Sequence, residues 1–163
     1  MIKGKAIKFG DNIDTDQIIG AEHLTLPTID DMVKYTFINH KNFTDDFQQG
    51  DIIVGGHNFG CGSSREQAAA VLKKAGVGAI IAKSFARIFF RNAINLGLMV
   101  LECKEADRIS KLDHLQLDPM TGKIKNMTKH QDYQTTALPP YIKAILDAGG
   151  IVNYMRDRPP DFC

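Results

Sequence analysis

The stretch that decides the fold is residues 52–101, IIVGGHNFGCGSSREQAAAVLKKAGVGAIIAKSFARIFFRNAINLGLMVL. Within it, three short apolar runs, each with a glycine at or beside one end, have the composition of buried strands: Ile52–Val54, Gly78–Ala82 and Leu98–Leu101. Apolar residues at helical spacing fill the two intervals between these runs, over 63–75 and 84–96. Because strands alternate with helices, we predict the α/β class, with a mostly parallel buried sheet flanked by helices.

The sequence outside this stretch adds shorter elements to the prediction. β-branched residues favour a first strand over Ile2–Phe9, and turn residues between two apolar runs predict a hairpin over 115–125. Helices are predicted from Thr28, which can cap one, and over Pro139–Ala148. A chain of 163 residues has the length of one domain, so we expect a single domain over 1–163 with a C-terminal tail from about residue 156.

Composition excludes several classes of function. There are 20 Lys and Arg residues against 19 Asp and Glu residues, and the resulting net charge of +1 offers no basic surface to nucleic acid. Lysines and arginines interrupt the apolar segments, which argues against a secretory signal or a membrane span. The three cysteines, Cys61, Cys103 and Cys163, form no C-x-x-C pair and indicate neither a disulfide framework nor a zinc site. We therefore expect a cytoplasmic protein that binds neither nucleic acid nor a membrane.

The segment richest in chemical groups, Gly55–Glu66, joins a predicted strand to the start of a predicted helix. Its glycines let a ligand approach the backbone, and the free N–H groups and positive dipole end of a helix N-terminus favour an anion. Ser63 and Ser64 add two hydroxyl groups there. The pattern Ser63-x-x-Glu66 also fits a capping box, which would give Ser63 a purely structural role.

Arg65 favours a bound ligand over a simple helix cap. A cation in the first turn of a helix opposes the helix dipole, whereas an acidic ligand bound there would neutralise the cation. The guanidinium group matches a carboxylate with two parallel hydrogen bonds. The glycine and lysine spacing of a phosphate-binding P-loop is absent from the sequence. The pattern therefore predicts a site for a small carboxylic acid.

Three motifs carry a resemblance to a known family: Asp14-Thr15-Asp16-Gln17-Ile18, Asn58-Phe59-Gly60-Cys61-Gly62-Ser63-Ser64-Arg65-Glu66 and Lys83-Ser84-Phe85-Ala86-Arg87-Ile88-Phe89. From Ile2 to about Tyr154 the chain resembles the small subunits of 3-isopropylmalate dehydratase and, more widely, the swivelling domain of the aconitase superfamily. The resemblance implies a swivelling β/β/α domain. It also implies a hydro-lyase of leucine biosynthesis that interconverts 2- and 3-isopropylmalate by dehydration and rehydration.

The resemblance further implies partners and residue roles. The enzyme would be active only with a large subunit that holds a [4Fe-4S] cluster, and this chain would contribute no metal ligand. Ser63 would take the carbon-bound proton, and Asp16 would be an active-site carboxylate. Arg65 and Ser64 would bind the substrate, a small dicarboxylic hydroxy acid. Homo-oligomers of the isolated chain are left open.

The loop after Asp16 bears on the choice of substrate. Many members of the family have an arginine at the position of Thr25, and Leu24 and Leu26 favour an apolar substituent such as isopropyl. Homoaconitase, citramalate dehydratase and 2,3-dimethylmalate dehydratase share the other motifs, so their substrates remain alternatives. A carboxylate-binding regulatory module without chemistry is a further alternative from a different class.

A polar row accompanies the apolar stripe of the helix predicted over 84–96. Arg87, Arg91 and Asn95 recur at every fourth residue, which places them on one helix face. Such a row is typical either of a solvated face or of a surface that contacts a partner, and the sequence leaves both interpretations open.

Overall fold

The computed structural model describes residues 1–157. Its strands are β1 (Ile2–Lys8), β2 (Ile52–Val54), β3 (Ala79–Ala82), β4 (Val100–Glu102), β5 (His114–Leu117), β6 (Lys123–Asn126) and β7 (Gln131–Gln134). Its α-helices are α1 (Thr15–Ile18), α2 (Ile29–Met32), α3 (Lys41–Thr44), α4 (Glu66–Ala75), α5 (Arg87–Asn95), α6 (Pro140–Asp147) and α7 (Ile151–Asp157). Single 3₁₀ turns cover Ala21–His23, Val33–Tyr35 and Ala106–Arg108. No helix within residues 1–157 has the length and apolar character needed to span a bilayer.

The strands form one seven-stranded sheet in the order β4-β3-β2-β1-β5-β6-β7. From β1 to β4 every pairing is parallel, and from β1 to β7 through β5 and β6 every pairing is antiparallel. The strand β1 belongs to both parts, because Ala6–Lys8 pairs with β2 while Ile2–Lys5 pairs with β5. The predicted α/β class with a parallel, helix-flanked sheet is thereby confirmed, and the antiparallel ladder extends it.

The parallel strands form the middle layer of the molecule. Successive side chains of a strand point to opposite faces, so each parallel strand contributes to two cores. One core joins these strands to the helices and contains Ile53, Ile80, Leu72 and Phe89. The other joins them to the antiparallel ladder and contains Ile52, Ile81, Leu115 and Ile124. The order of layers is therefore ladder, parallel sheet and helices, which agrees with the β/β/α arrangement that the resemblance implied.

The C-terminal region contains more structure than the sequence predicted. The helix predicted over Pro139–Ala148 is confirmed as α6, and a further helix, α7, follows the Gly149-Gly150 turn. The tail expected from about residue 156 overlaps the end of α7 at Arg156 and Asp157, and its remainder lies outside the described residues.

A buried carboxylate fastens β5 to the turn that precedes it. Asp113 is 4% exposed and accepts hydrogen bonds from the Ser110 N–H at 2.8 Å and the Asn126 side chain at 2.6 Å. Lys129 lies 3.4 Å from the same carboxylate. Burial raises the pKa of Asp113, but these hydrogen bonds and the Lys129 charge outweigh it, and the net pKa lies below the ordinary value.

Candidate active site

The loop between β2 and α4, residues 55–65, lies against α5. Gly60 and Gly62 have φ angles of +82° and +88°, a backbone region that side chains rarely adopt. A Cβ atom at Gly60 would also overlap the ring of Phe89 on α5. The absence of a side chain at Gly60 therefore allows the loop backbone to touch that ring and fixes the distance between loop and helix.

Ile13 and the motif at residues 14–18 hold this loop from one side. The Gly60 N–H donates to the Ile13 carbonyl at 2.7 Å, and the Thr15 N–H donates to the Cys61 carbonyl at 2.9 Å. The buried Thr15 side chain donates from Oγ1 to the Ser63 carbonyl at 2.9 Å. Contacts distant in sequence therefore determine where the Ser63 backbone lies.

The motif at residues 83–89 holds the same loop from the other side. The Asn58 N–H donates to the Ser84 Oγ at 2.8 Å, and the Phe59 N–H donates to the Ser84 carbonyl at 3.0 Å. The Ala86 N–H in turn donates to the Phe59 carbonyl at 3.0 Å. These bonds keep residues 84–86 extended. The helix α5 therefore begins at Arg87, whereas the apolar spacing predicted a start at Ser84. All three motifs meet at this loop.

A cleft of about 390 Å³ opens where the motifs meet, and it is lined by Thr15, Gly60, Gly62, Ser63, Ser64, Arg65, Ala86, Arg87, Ile88, Phe89 and Asn92. Ser63 and Ser64 are exposed in it, and neither hydroxyl forms a hydrogen bond with any residue in the range 1–157. The alternative of a capping box at Ser63 is wrong, because α4 begins at Glu66 and the N-cap residue is Arg65. The Ser63 hydroxyl is consequently free to act on a ligand.

Arg65 is paired with Asp16. The Arg65 side chain is only 15% exposed, and its Nη1 donates to the Asp16 carboxylate and, at 3.3 Å, to the Ile19 carbonyl. The anion that the sequence predicted beside this cation is therefore supplied, in part, by the chain itself. A guanidinium carries five N–H donors, so the Nε and Nη2 donors of Arg65 still have no partner within the described part of the chain. This free edge has the shape that a substrate carboxylate requires.

The loop that carries the predicted specificity residues, Leu24, Thr25 and Leu26, lies outside the cleft. Leu24 and Leu26 pack against the helix-side core, and Thr25 is exposed and donates to the Glu22 carbonyl at 3.4 Å. None of these three residues lines the cleft. Asp16 lines a neighbouring cavity of about 330 Å³ and reaches the cleft only through its ion pair with Arg65.

Five residues that line the cleft were not predicted from the sequence to contact a ligand. The apolar wall of the cleft consists of Ala86, Ile88 and Phe89, and Arg87 and Asn92 add polar groups. Ala86, Arg87, Ile88 and Phe89 belong to the motif at 83–89, which runs into the start of α5, and Asn92 lies further along that helix. The signal that could have identified them is that motif itself, since its position before a helix mirrors that of the serine loop before α4.

The described part of the chain, residues 1–157, shows no arrangement suited to a metal cluster. Within residues 1–157, no three His, Cys, Asp or Glu side chains come close enough together to hold a metal ion. Cys61 is half-buried in the serine loop, whereas Cys103 is buried just after β4. Burial raises the pKa of Cys103, so its thiol stays protonated and is a poor metal ligand. The described residues therefore do not fit a [4Fe-4S] cluster of their own.

Comparison with known proteins gives one consistent result. The sequence model of the aconitase C-terminal domain family matches residues 7–106. Small subunits of 3-isopropylmalate dehydratase from Methanosarcina mazei and Thermotoga maritima are 49% and 48% identical, over 95% and 96% of this chain and 96% and 95% of theirs. The crystal structure of a 3-isopropylmalate dehydratase from Methanocaldococcus jannaschii superposes with a TM-score of 0.91 at 42% identity, over 96% of this chain and 94% of the other. The chain belongs to the small-subunit family of 3-isopropylmalate dehydratase, within the aconitase superfamily.

Proposed function

We propose that this chain is the small subunit of a two-subunit hydro-lyase that interconverts 2- and 3-isopropylmalate in leucine biosynthesis. The observation that carries the proposal is the cleft in which a free Ser63 hydroxyl lies beside Arg65, built by three motifs of the family. Membership of a small-subunit family implies a large-subunit partner. The three scattered cysteines suit a reducing compartment, and we place the enzyme in the cytoplasm.

The [4Fe-4S] cluster belongs to the large subunit in this proposal and supplies Lewis-acid chemistry when bound there. The contribution of this chain is to move a proton and to hold a carboxylate. Ser63 takes the carbon-bound proton during dehydration and returns one during rehydration. A serine hydroxyl is a weak base in water, so this role requires that its alkoxide be stabilised. The start of α4 and the Arg65 cation provide a positive field beside Ser63, and closure of the large subunit over the cleft would strengthen it by excluding water.

Arg65 and Ser64 bind a substrate carboxylate in this proposal. The Nε and Nη2 donors of Arg65 offer two parallel hydrogen bonds, and Ser64 adds a hydroxyl in the same cleft. Asp16 holds the Nη1 side of the guanidinium and so fixes the direction in which the free edge points. Asp16 therefore acts through Arg65, as an active-site carboxylate that orients the substrate-binding group.

The lining of the cleft favours isopropylmalate among the substrates of related dehydratases. Its apolar wall of Ala86, Ile88 and Phe89 suits an isopropyl group better than the additional carboxylate of homocitrate. Thr25, Leu24 and Leu26 lie outside the cleft in the isolated chain, so any contact of theirs with substrate requires the loop to move when the large subunit binds. Citramalate and 2,3-dimethylmalate, which carry smaller substituents, remain the relevant competitors.

The test is reconstitution with the matching large subunit under anaerobic conditions, with the iron and sulfide content verified. Alkene formation is followed by absorbance with isopropylmalate, citramalate, 2,3-dimethylmalate and homocitrate. We expect the highest kcat/KM with isopropylmalate. Absence of turnover with all four, despite an intact cluster and a formed complex, would count heavily against the hydro-lyase and leave the carboxylate-binding regulatory module as the alternative.

A substitution tests the proposed base within the same assay. Ser63→Ala removes the proton acceptor and is expected to lower kcat by about 10²- to 10⁴-fold. Ser64→Ala removes only a substrate contact, so its effect should fall mainly on KM. If Ser63→Ala retains wild-type kcat, another group takes the proton.

A further inference from the structure

Arg87 is a cation of the cleft that has no partner among the described residues. It is the first residue of α5, its side chain is exposed, and it lines the same cleft as Ser63 and Arg65. Its guanidinium forms no ion pair or hydrogen bond with any residue from 1 to 157. Arg65, in contrast, is paired with Asp16. Two arginines thus share one cleft, and within residues 1–157 only Arg65 is paired with a carboxylate.

The surroundings of Arg87 favour an anionic ligand. Arg65 and Arg87 are the only charged residues that line the cleft in the described part of the chain, and no carboxylate lines it. A cation in the first turn of a helix is also disfavoured by the helix dipole unless an anion neutralises it. Asn92, five residues further along α5, adds a neutral amide that can donate to the same ligand.

The number of cations matches the number of carboxylates on the proposed substrate. Isopropylmalate is a dicarboxylate, and Arg65 offers a bidentate edge to one of the two groups. We propose that Arg87 binds the second carboxylate and thereby fixes the orientation of the substrate across the cleft, with its apolar substituent against the wall formed by Ala86, Ile88 and Phe89. This inference rests on the proposed function and names the residue that makes the cleft selective for a dicarboxylic acid.

Arg91 provides a matched control on the same helix. It lies one turn after Arg87, is equally classed as exposed, and also lacks a partner within residues 1–157. It lines a different cavity, of about 650 Å³, between α5 and the segment around Tyr141, and not the cleft. Arg87 also borders this second cavity. An effect that comes only from removing a cation from this helix face would therefore appear on substitution of either arginine.

The experiment compares Arg87→Gln, Arg87→Lys and Arg91→Gln in the reconstituted two-subunit enzyme. A charge-assisted hydrogen bond contributes enough that its loss should reduce kcat/KM for isopropylmalate by about 10- to 100-fold in Arg87→Gln, mainly through KM. Arg87→Lys keeps the charge and should recover part of this loss. Arg91→Gln should stay within about twofold of the wild type, as is usual for exposed positions outside a site.

Competitive inhibitors separate carboxylate binding from other roles. Isopropylsuccinate has two carboxylates, and 4-methylpentanoate has one. Arg87→Gln should weaken inhibition by isopropylsuccinate about 10- to 100-fold and leave inhibition by 4-methylpentanoate unchanged. An equal loss for both inhibitors, an unchanged KM, or a loss of activity explained by weaker subunit association in gel filtration would each overturn the proposal. An inactive wild-type enzyme would instead refute the proposed function, and Arg87 could still be judged by inhibitor binding to the complex.

Discussion

Replacing Thr15 by valine tests whether one buried hydroxyl holds the Ser63 backbone in place. The substitution keeps the branched shape of the side chain and removes the hydrogen bond from Oγ1 to the Ser63 carbonyl, which measures 2.9 Å. Thr15 is 2% exposed, so the added methyl group remains in a packed environment. Loss of a neutral hydrogen bond costs about 1 kcal/mol of unfolding free energy. In a chain of this size we expect the melting temperature to fall by about 2–4 °C.

The effect of Thr15→Val on turnover should be larger than its effect on stability. Without the hydroxyl, the Ser63 backbone is free to shift relative to the substrate, and a displacement of about 1 Å at a reacting group costs about 10²-fold in rate. We therefore expect kcat of the reconstituted enzyme to fall by about 10- to 100-fold. Circular dichroism of the isolated chain measures the melting temperature, and steady-state assays of the complex measure kcat.

Two further variants make the Thr15 test specific. Thr15→Ser retains the hydroxyl and should preserve most of kcat. Thr44→Val removes another threonine hydroxyl that donates to a backbone carbonyl, that of Lys41 at 3.5 Å, at an exposed position on α3 outside the cleft. It should leave kcat unchanged. A wild-type kcat in Thr15→Val, or an equal defect in Thr15→Ser, would refute the reasoning.

Two other properties can be measured on the isolated chain. Gly60→Ala should lower the free energy of unfolding by about 2–5 kcal/mol, because the left-handed backbone and the overlap with Phe89 both oppose a side chain. At Gly10 a Cβ atom would meet no atom of residues 1–157 within 4 Å, so Gly10→Ala should cost less than about 0.5 kcal/mol, and similar urea midpoints for both variants would contradict this packing. Asp113 has a pKa below its unfolded value of about 3.9, so its charge stabilises the fold above that pH and the contribution disappears as the pH falls through the lower, folded pKa. The stability difference between wild type and Asp113→Asn should accordingly shrink below about pH 4 in urea unfolding, and a difference independent of pH would contradict it.

The parallel layer could be predicted from the sequence because its signals are local. Apolar runs of β2, β3 and β4 alternate with helices, and Gly76 ends α4 in the left-handed conformation typical of a helix C-terminus. The strand β7 escaped prediction because its sequence, QDYQ, has only one inward side chain, the buried Tyr133. Its strand conformation depends on pairing with β6, and a local sequence pattern does not reveal such a pairing.

The candidate site was only partly predicted, because its geometry also depends on contacts between residues distant in sequence. Residue identity was sufficient to single out Ser63 and Arg65, but the Ser63-x-x-Glu66 pattern could not show that Thr15 would hold the loop away from a capping geometry. Leucines in an exposed loop can contact either the core or a ligand. Leu24 and Leu26 contact the core in this structure, and Ala86, Ile88 and Phe89 form the apolar wall of the cleft instead.

The double pairing of β1 has a consequence for how the chain folds. Ile2–Lys5 pairs with residues 114–117, which are synthesised late. Ala6–Lys8 pairs with residues 52–54, which are synthesised much earlier. During synthesis, the parallel sheet and the serine loop can therefore assemble while the outer side of β1 is still an open edge. Such an edge attracts other strands, and pairings distant in sequence form slowly. A chain interrupted before β5 would already contain the residues that line the cleft and yet expose an edge strand that favours aggregation.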